Sequence, residues 1–494
     1  MTGAEYFVAA LQRRGVEWMA TLCGHGLDPL FHAATAAGMR LVDTRNEQAA
    51  SYLAEAYGRL RRHPGVCAVS SGLAHVNALT GLANAWFDSA PMLLVSGSAA
   101  IRTAGMGHFQ DMNQAGMAAP VARYSRVIDH PARVVSILDE AWQAACCGPA
   151  HLTFPMDIQR ADIAPGEMLR PAEARQQQGT QSDDLGLALT NAERPLLIAG
   201  SGVFYAGASE HLLNFAERYS IPLVVPIWDR GCVDRASPVF VGVLGAASGG
   251  PPLFDEADCI IMAGAVSDYR TGYLQAADKA VVWLGHFEHL SSPRTFAPWL
   301  QHARRARDQF RAGVRRKGEE QAASGTHAIH IMDALRACLT DETVLLIDGG
   351  SIGQWAHQLL ADRYPGHWLT CGRSGVVGWG LGGAMGARLA FPDRAVILLS
   401  GDGAFTFTIA ELECAVRQNL PFVAIVADDQ GWGITRTGHI QQFGEAIASS
   451  LGPIAFDRLA QSLGARGVVA ATPEAIGAEL ARALAEPAVT VMHV

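Results

Sequence analysis

Two short apolar stretches, Ala395–Leu399 and Phe422–Ala427, flank a helical pattern, and each runs straight into acidic residues. The first leads into Gly401-Asp402-Gly403, and the second stops at Asp428-Asp429-Gln430-Gly431. A strand, a crossover helix and a second strand of these lengths make a parallel pair, so both acidic ends emerge at the same edge of one sheet. Carboxylates at neighbouring strand ends, with glycines that let backbone amides come close, suit a hard divalent cation that itself bridges a diphosphate.

The same alternation of helical patterns and short apolar strands fills the rest of the chain. In the first third, strands are expected at Met39–Asp43, Gly65–Ser70, Met92–Ser96 and His151–Pro155. The polar, Gln-rich stretch Ala164–Asp184 reads as a linker. A second series follows at Arg194–Gly200, Pro222–Pro226, Cys259–Ala263 and Ala280–Leu284, then a basic helical connector around Ala303–Lys317. A third series is expected at Val344–Ile347, Trp368–Thr370, Ala395–Leu399, Phe422–Ala427 and Val489–His493. This pattern predicts parallel sheets covered by helices, in the α/β class.

With 494 residues the length prior is about three domains. A net charge of −9 without a concentrated basic block argues against a nucleic-acid partner. The apolar runs are too short to span a bilayer, and the amphipathic N-terminus has no signal-peptide core. Nine scattered cysteines without a Cys-x-x-Cys pair read as reduced thiols, which predicts a cytoplasmic protein.

The Gly401–Gly431 segment resembles the diphosphate-binding signature of the thiamine diphosphate-dependent superfamily that includes acetolactate synthases and 2-oxo acid decarboxylases. One difference is that Asp428-Asp429 stands where the family commonly has Asn-Asn. The order of the three series also resembles that family, and the likeness covers nearly the whole chain. It implies three doubly wound parallel-sheet domains: pyrimidine-binding over 1–165, middle over 185–300 and diphosphate-binding over 330–494.

By the same resemblance, Mg²⁺ is expected on Asp402, Asp429 and the Gly431 carbonyl. Thiamine diphosphate is expected against Asn77, Gly353, Gln354, Gly375, Val377, Gly403, Ala404, Gly433 and Ile434. Within Gly375–Gly382, Val377 is the expected wedge that bends the cofactor, and the Gly375 carbonyl the acceptor for its aminopyrimidine. Glu47, in Asp43-Thr44-Arg45-Asn46-Glu47-Gln48, is the expected partner of the pyrimidine ring nitrogen. A carboxyl group there can share a proton with the ring, so that the exocyclic nitrogen serves as base for the thiazolium carbon proton. His25, His75 and Gln110 are expected in loops that close over the pyrimidine and a small carbonyl substrate.

FAD is not expected, because Val281–Glu288 lacks the family's flavin pattern and only Gly264–Arg270 is similar to it. Nor is a dinucleotide, since Gly200-Ser201-Gly202 has no third glycine at the required position. The last expected strand coincides with the end of the sequence, which leaves no place for the closing tail of acetolactate synthases or the CoA-covering tail of 2-hydroxyacyl-CoA lyases. The resemblance implies a homodimer or homotetramer acting as a carbon–carbon lyase or carboligase on a 2-oxo acid or related carbonyl compound. The alternatives are a hydrolase that cleaves a diketone and a catalytically idle binding homologue.

Overall fold

The computed structural model describes residues 1–164, 184–229, 232–245, 249–274, 279–287, 290–360 and 368–494. The expected linker therefore falls almost wholly outside the described residues. Three parallel sheets follow one another along the chain. The first is built from β1 (Trp18–Leu22), β2 (Arg40–Asp43), β3 (Gly65–Val69), β4 (Met92–Ser98), β5 (Tyr124–Val127) and β6 (Pro149–Pro155), in the order β2-β1-β3-β4-β6-β5. The middle sheet contains β7 (Pro195–Ala199), β8 (Leu223–Pro226), β9 (Phe240–Leu244), β10 (Cys259–Ala263) and β11 (Ala280–Leu284), in the order β11-β10-β7-β8-β9. The third has β12 (Val344–Ile347), β13 (Leu369–Thr370), β14 (Val396–Gly401), β15 (Val423–Ala427), β16 (Arg466–Val469) and β17 (Thr490–His493), in the order β13-β12-β14-β15-β17-β16.

Every residue of β3, β6, β7, β10 and β14 is buried, as expected of apolar runs covered by helices on both faces. The first and third sheets share one topology: the opening strand pairs with the second on one side and the third on the other. Each therefore has a switch point, between β1 and β3 and between β12 and β14. Ligands in open α/β sheets bind in the crevice at the carboxyl ends of such strands.

The two outer domains meet through parallel helices, Glu47–Arg61 of the first and Gly380–Ala390 of the third. A Cβ on Gly382 would lie 2.8 Å from the Ala49 carbonyl oxygen, and one on Gly386 2.4 Å from that of Leu53. Glycine at these two places is what lets the helix backbones touch. Below this contact Arg59 is fully buried between Glu55 (3.4 Å) and Asp88 (3.7 Å), and it donates to the Thr370 carbonyl at 2.8 Å. Trp379 Nε1 donates to Glu55 at 2.8 Å, so the same cluster ties the third domain to the first. Among the described residues no helix is long and apolar enough to cross a membrane, and all nine cysteines are free.

Candidate active site

At the switch point of the third sheet, the turns after β12, β14 and β15 surround a cavity of about 560 Å³. Gly349, Gly350 and Ser351 come from the first turn, Asp402, Gly403 and Ala404 from the second, and Asp428, Asp429, Gly431, Gly433 and Ile434 from the third. Val377 contributes a further wall, and the segment ahead of the third sheet adds Thr326 and His327. Gly350 has φ +123° and backs directly onto Gly401, a close approach that a side chain would block.

Asp402 opens the short helix Asp402–Thr406 and is 5% exposed. Its Oδ2 accepts the Gly431 N–H at 3.1 Å, which ties two of the three turns together. Burial raises its pKa above the ordinary carboxylate value, and the neighbouring Asp429 and Asp428 push the same way. Burial likewise raises Asp429, which Ser351 Oγ (3.4 Å) and Arg436 Nη2 (3.4 Å) only partly compensate. Asp428 is held by His493 Nε2 at 2.9 Å. The cavity wall thus carries two carboxylates whose negative charge the protein leaves incompletely balanced.

Behind the cavity lies Asp348, 4% exposed and held by backbone amides. It accepts from Gly349 (2.7 Å), Gly378 (3.1 Å) and Gly380 (2.8 Å), while burial lifts its pKa to about 6. Those bonds fix the segment that follows Val377. A Cβ on Gly349 would meet Val377 Cγ1 at 3.2 Å and the Ala404 Cβ at 3.3 Å, so the Val377 side chain is seated against the wall of the cavity. Gly353 and Gln354 sit on the helix Ser351–Leu359, while Ser351, Ile352 and Trp355 of that helix line the cavity. Gly375 is exposed with φ +68°.

The switch point of the first sheet gathers a different set. Ser70 Oγ donates to the His25 carbonyl, and the His25 ring lies parallel to His108 at 6.1 Å with Phe109 edge-on at 6.0 Å. Ser71 Oγ donates to Gln110 Oε1 at 2.8 Å. Gln114 braces this loop from beneath, accepting the Gly72 N–H at 2.8 Å and donating to the Gly97 carbonyl at 2.9 Å. Glu47 is the first residue of its helix, capped by Asn46, and its Oε2 accepts from Asn77 Nδ2 at 3.0 Å.

Two expectations are corrected here. His75 belongs to the helix Leu73–Asp88, which also carries Asn77, and not to a loop, because the apolar pattern after Gly72 continues at helical spacing. His75 is also fully buried: its Nδ1 meets Ser96 Oγ at 2.8 Å, its ring packs 4.7 Å from His151, and burial lowers its pKa to about 4. It is a neutral core residue beneath the loop. Trp355, His327 and Arg436 are cavity or near-cavity residues that the sequence did not single out. Asp348 and Ser351 stand in a strand-end glycine turn, Asp348-Gly349-Gly350-Ser351, of the kind whose exposed amides favour phosphate oxygens.

Three models of one enzyme family match in succession. Residues 1–117 match the thiamine pyrophosphate enzyme N-terminal TPP binding domain, 184–285 the central domain and 348–494 the C-terminal TPP binding domain. The chain belongs to the thiamine diphosphate-dependent enzyme superfamily. Its relatives in that superfamily are distant but span nearly their full length. A probable acetolactate synthase of Mycobacterium bovis is 28% identical over 98% of this chain and 94% of its own. An acetolactate synthase large subunit of Parasynechococcus marenigrum is 28% identical over 100% and 87%, and the human 2-hydroxyacyl-CoA lyase 2 is 27% identical over 94% and 85%.

The residues fit the thiamine diphosphate that defines this superfamily. The third-domain cavity is walled by glycines and unbalanced carboxylates, as a cation-bridged diphosphate requires. In one chain, however, neither Glu47, Asn77, Gln110 nor His25 lines that cavity.

Proposed function

We propose that this protein is a thiamine diphosphate- and Mg²⁺-dependent enzyme that breaks or makes a carbon–carbon bond next to the carbonyl of a 2-oxo acid or related compound. The observation that carries this reading is the pair Asp402 and Asp429, drawn together on the wall of a glycine-lined cavity with both pKa values raised. A cation resting on two carboxylates and a backbone carbonyl, with phosphate completing its shell, suits Mg²⁺. The relatives named acetolactate synthase and 2-hydroxyacyl-CoA lyase support carbon–carbon chemistry.

In this reading Asp402, Asp429 and the Gly431 carbonyl hold the metal. Gly403, Ala404, Gly433 and Ile434, with the helix that carries Gly353 and Gln354, hold the diphosphate. Val377 supports the bend of the cofactor, and the Gly375 carbonyl accepts from its aminopyrimidine. Bound thiamine diphosphate supplies a nucleophilic carbon that takes up the electrons of the broken bond. Glu47 shares a proton with the pyrimidine nitrogen and is oriented by Asn77. Gln110 and His25 face the substrate, while His75 supports their loop from the core.

The Glu47 group lies outside the cavity of its own chain, which supports a homodimer or homotetramer in which a second copy completes each site. Large apolar side chains left exposed around both halves support the same assembly, among them Leu73 (67%), Met106 (76%), Phe109 (65%) and Phe407 (55%). Flavin is not part of this reading. At the middle sheet's switch point the Asp229 carboxylate takes the Ser201 N–H at 2.9 Å and is neutralised by Arg270 at 2.6 Å, while Gly202 and Gly264 back onto each other. The purified protein should be colourless, and stoichiometric flavin released on denaturation would refute that part.

The test of the function is product analysis over a panel of 2-oxo acids and diketones, with and without an aldehyde acceptor. Turnover that requires both thiamine diphosphate and Mg²⁺ is expected. Turnover that needs neither, or cofactor bound without any turnover across the panel, would count against it.

A further inference from the structure

The backbone just ahead of Glu47 is gripped by a carboxylate from another domain. Glu411 opens the third-domain helix Glu411–Arg417 and is 1% exposed. Its Oε1 and Oε2 each lie 3.1 Å from the Arg45 nitrogen, and the neighbouring Asn46 amide adds to the field that favours the charged form. Arg45 and Asn46 are the two residues that deliver the chain into Glu47, and Asn46 is that helix's N-cap.

Two further contacts clamp the same turn, but both are exposed. The Arg45 side chain reaches Glu413 at 2.9 Å, and Arg417 reaches Asp43 at 2.7 Å. Exposed pairs of this kind contribute little. The buried carboxylate is different. Burial pushes its pKa up to about 7, so the fold tolerates an anionic form that is costly to bury. A neutral amide of the same size would escape the desolvation cost of the charged form. A role confined to holding the domains together gives no reason for a carboxylate here. A group whose two oxygens must both face the Arg45 N–H in a fixed geometry does.

We propose that Glu411 is a positioning residue for Glu47, holding the Arg45-Asn46 backbone so that the Glu47 carboxyl meets the cofactor at the correct height and angle. This rests on the proposed role of Glu47. An amide at position 411 can offer the Arg45 N–H one oxygen, with its own NH₂ in place of the other. Glu411→Asp keeps the charge and withdraws it by one methylene.

The test uses Glu411→Gln and Glu411→Asp in the full chain, with two readouts. In the cofactor-free protein, amide hydrogen exchange at Arg45 and Asn46 should become faster than in the parent while the melting temperature does not fall. In the loaded protein at equal occupancy, deuterium exchange at the thiazolium carbon should slow by roughly ten- to a hundredfold, the scale of an ångström-sized misplacement. Parent-like exchange at both positions in either folded variant would overturn the proposal. Slower thiazolium exchange that merely tracks a lower melting temperature would reduce Glu411 to an interdomain tie and overturn it equally. A parent that itself shows no cofactor-dependent exchange would instead refute the function proposed for Glu47.

Discussion

The carboxylate of Asp348 holds the Gly380 amide at 2.8 Å, and through it the turn that follows Val377. One buried acid at the end of β12 therefore sets the position of a side chain from a different segment, packed against Gly349 on the cavity wall. Asp348→Ala should weaken thiamine diphosphate binding by at least tenfold, since several amides lose their acceptor and Val377 loses its backing, each unmade buried bond being worth about 1–3 kcal/mol. Isothermal calorimetry on the Mg²⁺-saturated protein measures it.

The raised pKa of Asp348 also predicts the sign of a pH effect. The folded protein binds this proton more tightly than the unfolded chain does, so stability is lost as pH rises from the ordinary carboxylate range through about 6. Asp348→Asn removes that titration. The difference in unfolding free energy, parent minus variant, should therefore fall between about pH 4 and about pH 7, as read from denaturant melts.

Asp402→Ala should abolish cofactor binding while leaving the fold intact. The cofactor-free protein should lose little stability, because relief of the repulsion from Asp429 and Asp428 offsets the lost Gly431 hydrogen bond. Thermal melts with and without Mg²⁺ and thiamine diphosphate separate the two effects. The parent should gain melting temperature on loading and the variant should not.

If a second copy completes each site, inactive variants should rescue one another. A heterodimer of Glu47→Gln and Asp402→Ala chains holds one site with both residues intact and one with neither. Random exchange of subunits should then restore roughly a quarter of the parent activity. Mixing that restores nothing, although mass spectrometry shows exchanged dimers, would place Glu47 and Asp402 in the same chain's site.

Much of this architecture can be read from local sequence. Cys259–Ala263, Ala280–Leu284 and Val344–Ile347 are strands at the residues expected, because a short unbroken apolar run bounded by polar residues has few other uses. The strands β1, β5, β9 and β16 escape the same reading. Tyr124–Val127 is a half-exposed edge strand containing Ser125 and Arg126, Phe240–Leu244 is interrupted by Gly242, and Trp18–Leu22 follows so closely on the first helix that its apolar residues extend that pattern. The acidic turns at Asp402 and Asp429 are legible because each is a contiguous motif. The grip of Glu411 on Arg45 spans 366 positions, and that of Asp348 on Gly378 spans 30, so no local pattern announces either. His75 illustrates the opposite error: a histidine just after a strand-end Ser-Ser-Gly turn looks functional until its burial is known.

The most direct test of the account is deuterium exchange at the thiazolium carbon of bound thiamine diphosphate, followed by NMR after acid quench, in the parent and in Glu47→Gln. The amide can still hydrogen-bond the pyrimidine, so the variant should keep its cofactor, but it cannot pass the proton. Loss of general acid–base assistance predicts exchange slower by about a hundredfold to ten-thousandfold. Parent-like exchange in Glu47→Gln at full cofactor occupancy would contradict the account, leaving Glu47 as a helix-start carboxylate and the activation of the cofactor to another group.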